Sequence, residues 1–61
     1  MTKADILKRA AWYLDDGAQC CANGGKVRGK WVNDPYARDM KLEHDEQRRL
    51  ARELRKMAAR R

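Results

Sequence analysis

The chain has 61 residues, 39% of them charged, with 15 Lys and Arg against nine Asp and Glu and a formal net charge of +6. That length admits one domain, spanning residues 1–61, with a thin core, because a chain of this size buries only about 60% of the surface its unfolded form exposes. Adjacent Cys20 and Cys21 exclude a disulfide framework, and a polar N-terminus with no long apolar run excludes a signal peptide or membrane span, so a reducing, cytoplasmic setting is expected.

The first predicted element is a helix over residues 3–22. Thr2 followed three residues later by Asp5 makes a capping-box pair at its start. Leu7, Ala10 or Ala11, Leu14, Ala18 and Cys21 recur at the spacing of one helical face, widened by Ile6 and Tyr13, while Lys8, Arg9, Asp15, Asp16 and Gln19 lie off it. Gly17 costs about 1 kcal/mol against Ala inside a helix, so a bend or fraying near Asp15-Asp16-Gly17 is expected. Asn23-Gly24-Gly25 reads as the terminator, since Asn and Gly tolerate the left-handed backbone that ends helices.

A basic loop follows over residues 23–33, with Val27, Trp31 and Val32 set among Lys26, Arg28 and Lys30, and with room for a short extended piece around Trp31. Asp34 as N-cap and Pro35 at the first helical position then start a second helix over residues 35–60, uninterrupted by Gly or Pro. Its expected buried stripe is Tyr36, Met40, His44, Gln47, Ala51, Leu54 and Ala58, with Ala37, Leu50 and Met57 at the edges; Leu42 points away. The fold class is therefore all-α, a two-helix antiparallel hairpin. Because the second helix is the longer on this reading, part of its stripe lacks cover, and dimerisation into a four-helix arrangement is expected.

Chemistry finds little purchase. A cysteine of the vicinal pair could meet His44 across the hairpin, but two helices enclose no substrate cavity, so no catalytic residue, cofactor or metal site is assigned. A closed zinc site needs four ligands and His44 is the only histidine. The thiols read as reduced, one packed as a small apolar residue, with a cross-chain disulfide as the alternative. Asn23-Gly24-Gly25-Lys26 lacks P-loop spacing. Asp15 and Asp16 read as solvated.

Surface character says more. Positive charge gathers in Arg48, Arg49, Arg52, Arg55, Lys56, Arg60 and Arg61 against the single acid Glu53. Such a tract is either a solvated face complementing the helix dipole or a phosphate-binding stripe of Arg48, Arg52, Arg55 and Lys56, assisted by Lys26, Arg28 and Lys30. No base-reading motif accompanies it. For a protein partner, the candidate residues are Trp12, Tyr13, Trp31, Leu50, Leu54 and Met57, with Trp12 the better exposed anchor and Trp31 read first as a plug over the hairpin's open end.

The stretch TKADILKRAAWYLDDGAQCC, a basic loop and an Arg-rich second helix together resemble, in size, composition and layout, the small accessory proteins encoded in the early regions of temperate lambda-like bacteriophages. The resemblance implies a short protein of the host cytoplasm that acts by binding a host or phage regulatory protein. It transfers no functional residue. The expected function is thus a non-enzymatic, dimeric protein-binding module, with non-sequence-specific nucleic-acid binding as the alternative.

Overall fold

The computed structural model describes residues 1–60; Arg61, counted above in the basic tract, lies outside them. Two antiparallel helices, α1 (Lys3–Gly25) and α2 (Pro35–Ala59), are joined by a minimal β-hairpin of β1 (Lys26–Val27) and β2 (Lys30–Trp31). The rod measures 43 × 15 × 15 Å. Both expected starts form. The Thr2 hydroxyl accepts from the Asp5 amide while the Asp5 carboxylate accepts from the Thr2 amide, and Asp34 accepts from the Ala37 amide at 2.8 Å ahead of Pro35.

Three features of the connection differ from expectation. Helix α1 does not stop at residue 22 but carries Asn23, Gly24 and Gly25 as its last turn. The reason is a close approach: a Cβ on Gly25 would lie 2.5 Å from the Trp31 ring and 3.2 Å from Met40 Cβ, so this glycine serves packing rather than a left-handed cap. The loop pairs into a two-stranded ribbon, with Lys26 opposite Trp31 and Val27 opposite Lys30, its second strand being the short extended piece expected around Trp31. Its two-residue turn places Arg28 at φ 55° and Gly29 at φ 80°, the left-handed pair of a type I′ turn, whose twist matches that of the flanking strands. Consequently the helices have 23 and 25 residues, and the length mismatch inferred from sequence disappears.

The seam between the helices has a strict alternating three- and four-residue step. On α1 it runs Ala4, Leu7, Ala11, Leu14, Ala18, Cys21, Gly25, and on α2 Ala37, Met40, His44, Gln47, Ala51, Leu54, Ala58; all are buried or half-buried. This is the 3.5-residue period of a coiled-coil seam, with a small residue at every seventh place of α1. Tyr36, expected in the stripe, is 62% exposed, and Ala37 takes its place. Facing pairs step in opposite senses: Gly25 meets Met40, Cys21 meets Glu43, Gly17 meets Gln47 and Asp15 meets Arg48. The helix runs unbroken through Gly17. A Cβ there would press on the Gln47 amide at 3.1 to 3.3 Å, so the missing side chain makes room for a polar group in the seam.

Close packing by small residues leaves little buried. The buried apolar residues are Ala11, Ala18, Cys21, Ala22, Ala37 and Ala51, each Ala worth at most about 1 kcal/mol of hydrophobic stabilisation. Leu7, Leu14, Met40 and Leu54 are half-buried. Leu54 therefore belongs to the intramolecular seam and is not part of an overhanging stripe.

Candidate functional site

The seam divides the rod into two flanks of opposite chemistry. On one, Asp15 of α1 accepts hydrogen bonds from Arg48 Nη1 at 3.1 Å and from Arg55 Nη2, two guanidiniums seven residues apart on α2. Asp15 is 23% exposed, not the solvated carboxylate expected from sequence, and the two Arg donors hold its carboxyl below the usual carboxylate range. Lys41 and Lys8 extend the same columns by one heptad, and Arg52 lies beside them; Lys41 and Arg52 make no ion pair among the described residues. At the connection end this flank opens into a shallow depression lined by Gln19, Ala22, Lys26, His44 and Arg48. Cations predominate on it, with Asp15 between the arginines and Asp45 one heptad before Arg52.

The opposite flank carries an apolar row bordered by acids, with Glu43 in its α2 column and exposed Asp39, Glu46 and Glu53 beside it. Cys21 Sγ donates to Glu43 Oε2 at 3.7 Å on this side, and the same register sets Tyr13 level with Leu50 and Ile6 level with Met57. All four are between 41% and 57% exposed. Ala10, Gly17 and Gly24, again seven apart, lie between them and the seam, and Lys3 begins the same column beside Met57. Tyr36 and Glu43 continue the Leu50 and Met57 column toward the connection.

Of the residues singled out for a protein partner, Tyr13, Leu50 and Met57 come together on the apolar flank. Trp12 is half-exposed on the outer side of α1, where its ring meets Tyr13 edge-on at 5.1 Å and Arg9 stacks within about 5 Å of both. Trp31 is the plug: half-buried against Gly25, edge-on to His44 at 5.3 Å and under the Lys26 ammonium at 5.2 Å. Among the cations singled out for phosphate, Arg48 and Arg55 hold Asp15, Lys56 bridges Glu53 at 3.2 Å, and Lys26 covers Trp31, while Arg28, Lys30 and Arg52 project into solvent. Sequence reasoning missed Ile6 and Asp15. The heptad spacing of Ile6 with Tyr13 was the available signal for the first; the clamp on Asp15 depends on the register of α2 against α1.

Among the described residues no hydrogen bond joins a cysteine to His44, the pair that catalysis would need. Cys21 is buried and bonded to Glu43, with burial foremost and Glu43 second in pushing its thiol pKa up, whereas His44 turns to Asp45 and Trp31. Such a thiol stays protonated and unreactive. Among the described residues no group of three His, Cys, Asp or Glu is placed to hold a metal, and no helix is long and apolar enough to cross a membrane. Comparison with protein-family models, curated proteins and solved structures gave no match. The geometry of the two flanks therefore carries the functional reading.

Proposed function

We propose that this chain is a non-enzymatic helical-hairpin interaction module that works as a homodimer, pairing through the apolar flank into a four-helix arrangement and engaging a protein partner. The observation carrying this reading is the row of half-exposed Ile6, Tyr13, Leu50 and Met57 beside a seam that buries no side chain larger than cysteine. A hairpin so poorly filled gains most by covering that row.

Area favours a second copy as the first occupant. One 43 by 15 Å side of the rod has a footprint on the order of 650 Å², near the roughly 800 Å² per partner of a stable interface, so an occupant must run the whole length. A second hairpin has that length, and the heptad columns of the flank give it matching knobs and holes. Trp12, Tyr13 and Arg9, aromatic and Arg together on the outer face of α1, supply the anchor types that dominate protein interfaces. The resemblance to phage accessory proteins suggests a host or phage regulatory protein as the further partner.

Sedimentation equilibrium is the test. Wild type should sediment as a dimer at micromolar concentration, and Leu50→Glu, a change at an exposed position, should give helical monomers. A wild type that stays monomeric at millimolar concentration, or a Leu50→Glu variant that still dimerises, rules the apolar flank out as the interface.

A further inference from the structure

We propose that the flank opposite the apolar one is a nucleic-acid-binding face, built on Lys41, Arg48, Arg52 and Arg55, and that Asp15 is an internal stand-in for a phosphate, holding two of its guanidiniums until a polyanion displaces it. This activity is independent of the self-association reading, since it uses the other side of the rod.

The first support is the arrangement of charge. Between residues 22 and 46 five cations are balanced by five acids, so the excess positive charge of the described residues sits on the half of the rod that carries the termini. The second is the clamp itself. Asp15 sits half-buried between the forks of Arg48 and Arg55, in the position that suits an oxyanion bound by two planar donors. Each guanidinium is still nearly half-exposed, so the clamp can be reached from solvent. Seven residues of helix separate these two arginines by about 10 Å, and Lys41 repeats the step, which makes a regular cationic column along the long axis of the rod. A regular column suits a linear polymer of evenly spaced phosphates better than an irregular acidic protein surface. The contact would be to backbone phosphates, with no reading of sequence.

The clamp gives the proposal a distinctive consequence. Removing the Asp15 charge frees two arginines at once, whereas removing the neighbouring Asp16 charge, on the outer face, changes net charge equally and frees none. Binding of a fluorescent mixed-sequence duplex of about 24 base pairs should follow a steep salt dependence, roughly 0.9 in log K per log salt for each phosphate neutralised. Asp15→Asn should bind on the order of tenfold tighter than wild type at low salt, with a steeper slope, and should exceed Asp16→Asn clearly. The double variant Lys41→Gln, Arg52→Gln leaves the clamp intact and should bind several-fold more weakly. Equal affinities for Asp15→Asn and Asp16→Asn, or weaker binding by Asp15→Asn with helicity retained by circular dichroism, would overturn the gating role. If Asp15→Asn loses its helicity, the double variant decides, and an undiminished affinity there overturns the face itself. Competition by poly-L-glutamate as effective as that of DNA at equal charge would assign the face to acidic proteins instead.

Discussion

Arg28 stands in the left-handed region that Gly and Asn favour, at φ 55°, in the first place of the two-residue turn. A side chain with a Cβ costs about 1–2 kcal/mol there, and nothing in the turn offsets it. Arg28→Asn should therefore raise stability by about 0.5–1 kcal/mol, seen as a rise in melting temperature of several degrees for a domain of this size. A lower melting temperature would mean that the Arg28 side chain contributes to the fold. The vicinal thiols part company at the same scale. Cys20 is exposed, while Cys21 is buried, bonded to Glu43 and pushed up in pKa, chiefly by burial. Titration with a disulfide reagent at pH 8 should show one fast thiol and one slow one, and Cys20→Ala should remove the fast phase; two fast thiols in the wild type would contradict the packing. The sequence assigned one of the pair to the interior, because the helical step through Ala18 reaches Cys21 and not Cys20. The clamp on Asp15 was not legible, because it depends on the level at which α2 passes α1.

At the scale of elements, starts were readable and the connection was not. Thr2 with Asp5, and Asp34 with Pro35, satisfy orphan amides by local rules that need no tertiary context. Asn23-Gly24-Gly25 does close the helix, at Gly25, but without the left-handed cap that the local rule supplies: Trp31 from the hairpin rests where a Gly25 side chain would be. Gly25→Ala should accordingly destabilise the fold even though Ala is the better helix former, since its Cβ must push the ring away from Met40 and the seam. The expected loss is about 2 kcal/mol or more, of the order measured for overpacked cores. Circular dichroism melts decide it: a Gly25→Ala variant as stable as wild type would show that Trp31 moves freely and is no plug. The same logic corrects the stripe of α2. A 100° wheel favoured Tyr36, but a seam of 3.5-residue period shifts the buried column to Ala37, and this drift is readable only once the partner helix is known to share the period.

At the scale of the whole molecule, the outcome of self-association can be read without separating species. Hairpins whose buried residues are chiefly alanines gain little on folding alone, so pairing and folding should be coupled. The length argument for pairing that the sequence suggested does not survive, because α1 and α2 differ by only two residues. Side-chain size gives a reason instead: a small residue at every seventh position of α1, Ala4, Ala11, Ala18 and Gly25, draws the helices together and leaves Ile6, Tyr13, Leu50 and Met57 half-exposed on one flank. For a dimer that unfolds to two chains, a tenfold rise in concentration adds about 1.4 kcal/mol to the stability of the folded pair. Two chains of this length unfold with an entropy on the order of 0.25 kcal/mol per degree, so the melting temperature should rise by about 5 °C for each tenfold increase. Leu50→Glu should abolish that dependence and lower the melting temperature at every concentration, because a carboxylate at the flank opposes pairing while leaving the seam intact. Lys41→Gln with Arg52→Gln, on the cationic flank, should preserve the dependence in full. A wild-type melting temperature that does not move over a hundredfold range would make the hairpin self-sufficient, and the alanine seam would then have to supply by close helix contact the stability that the paired flank is proposed to provide.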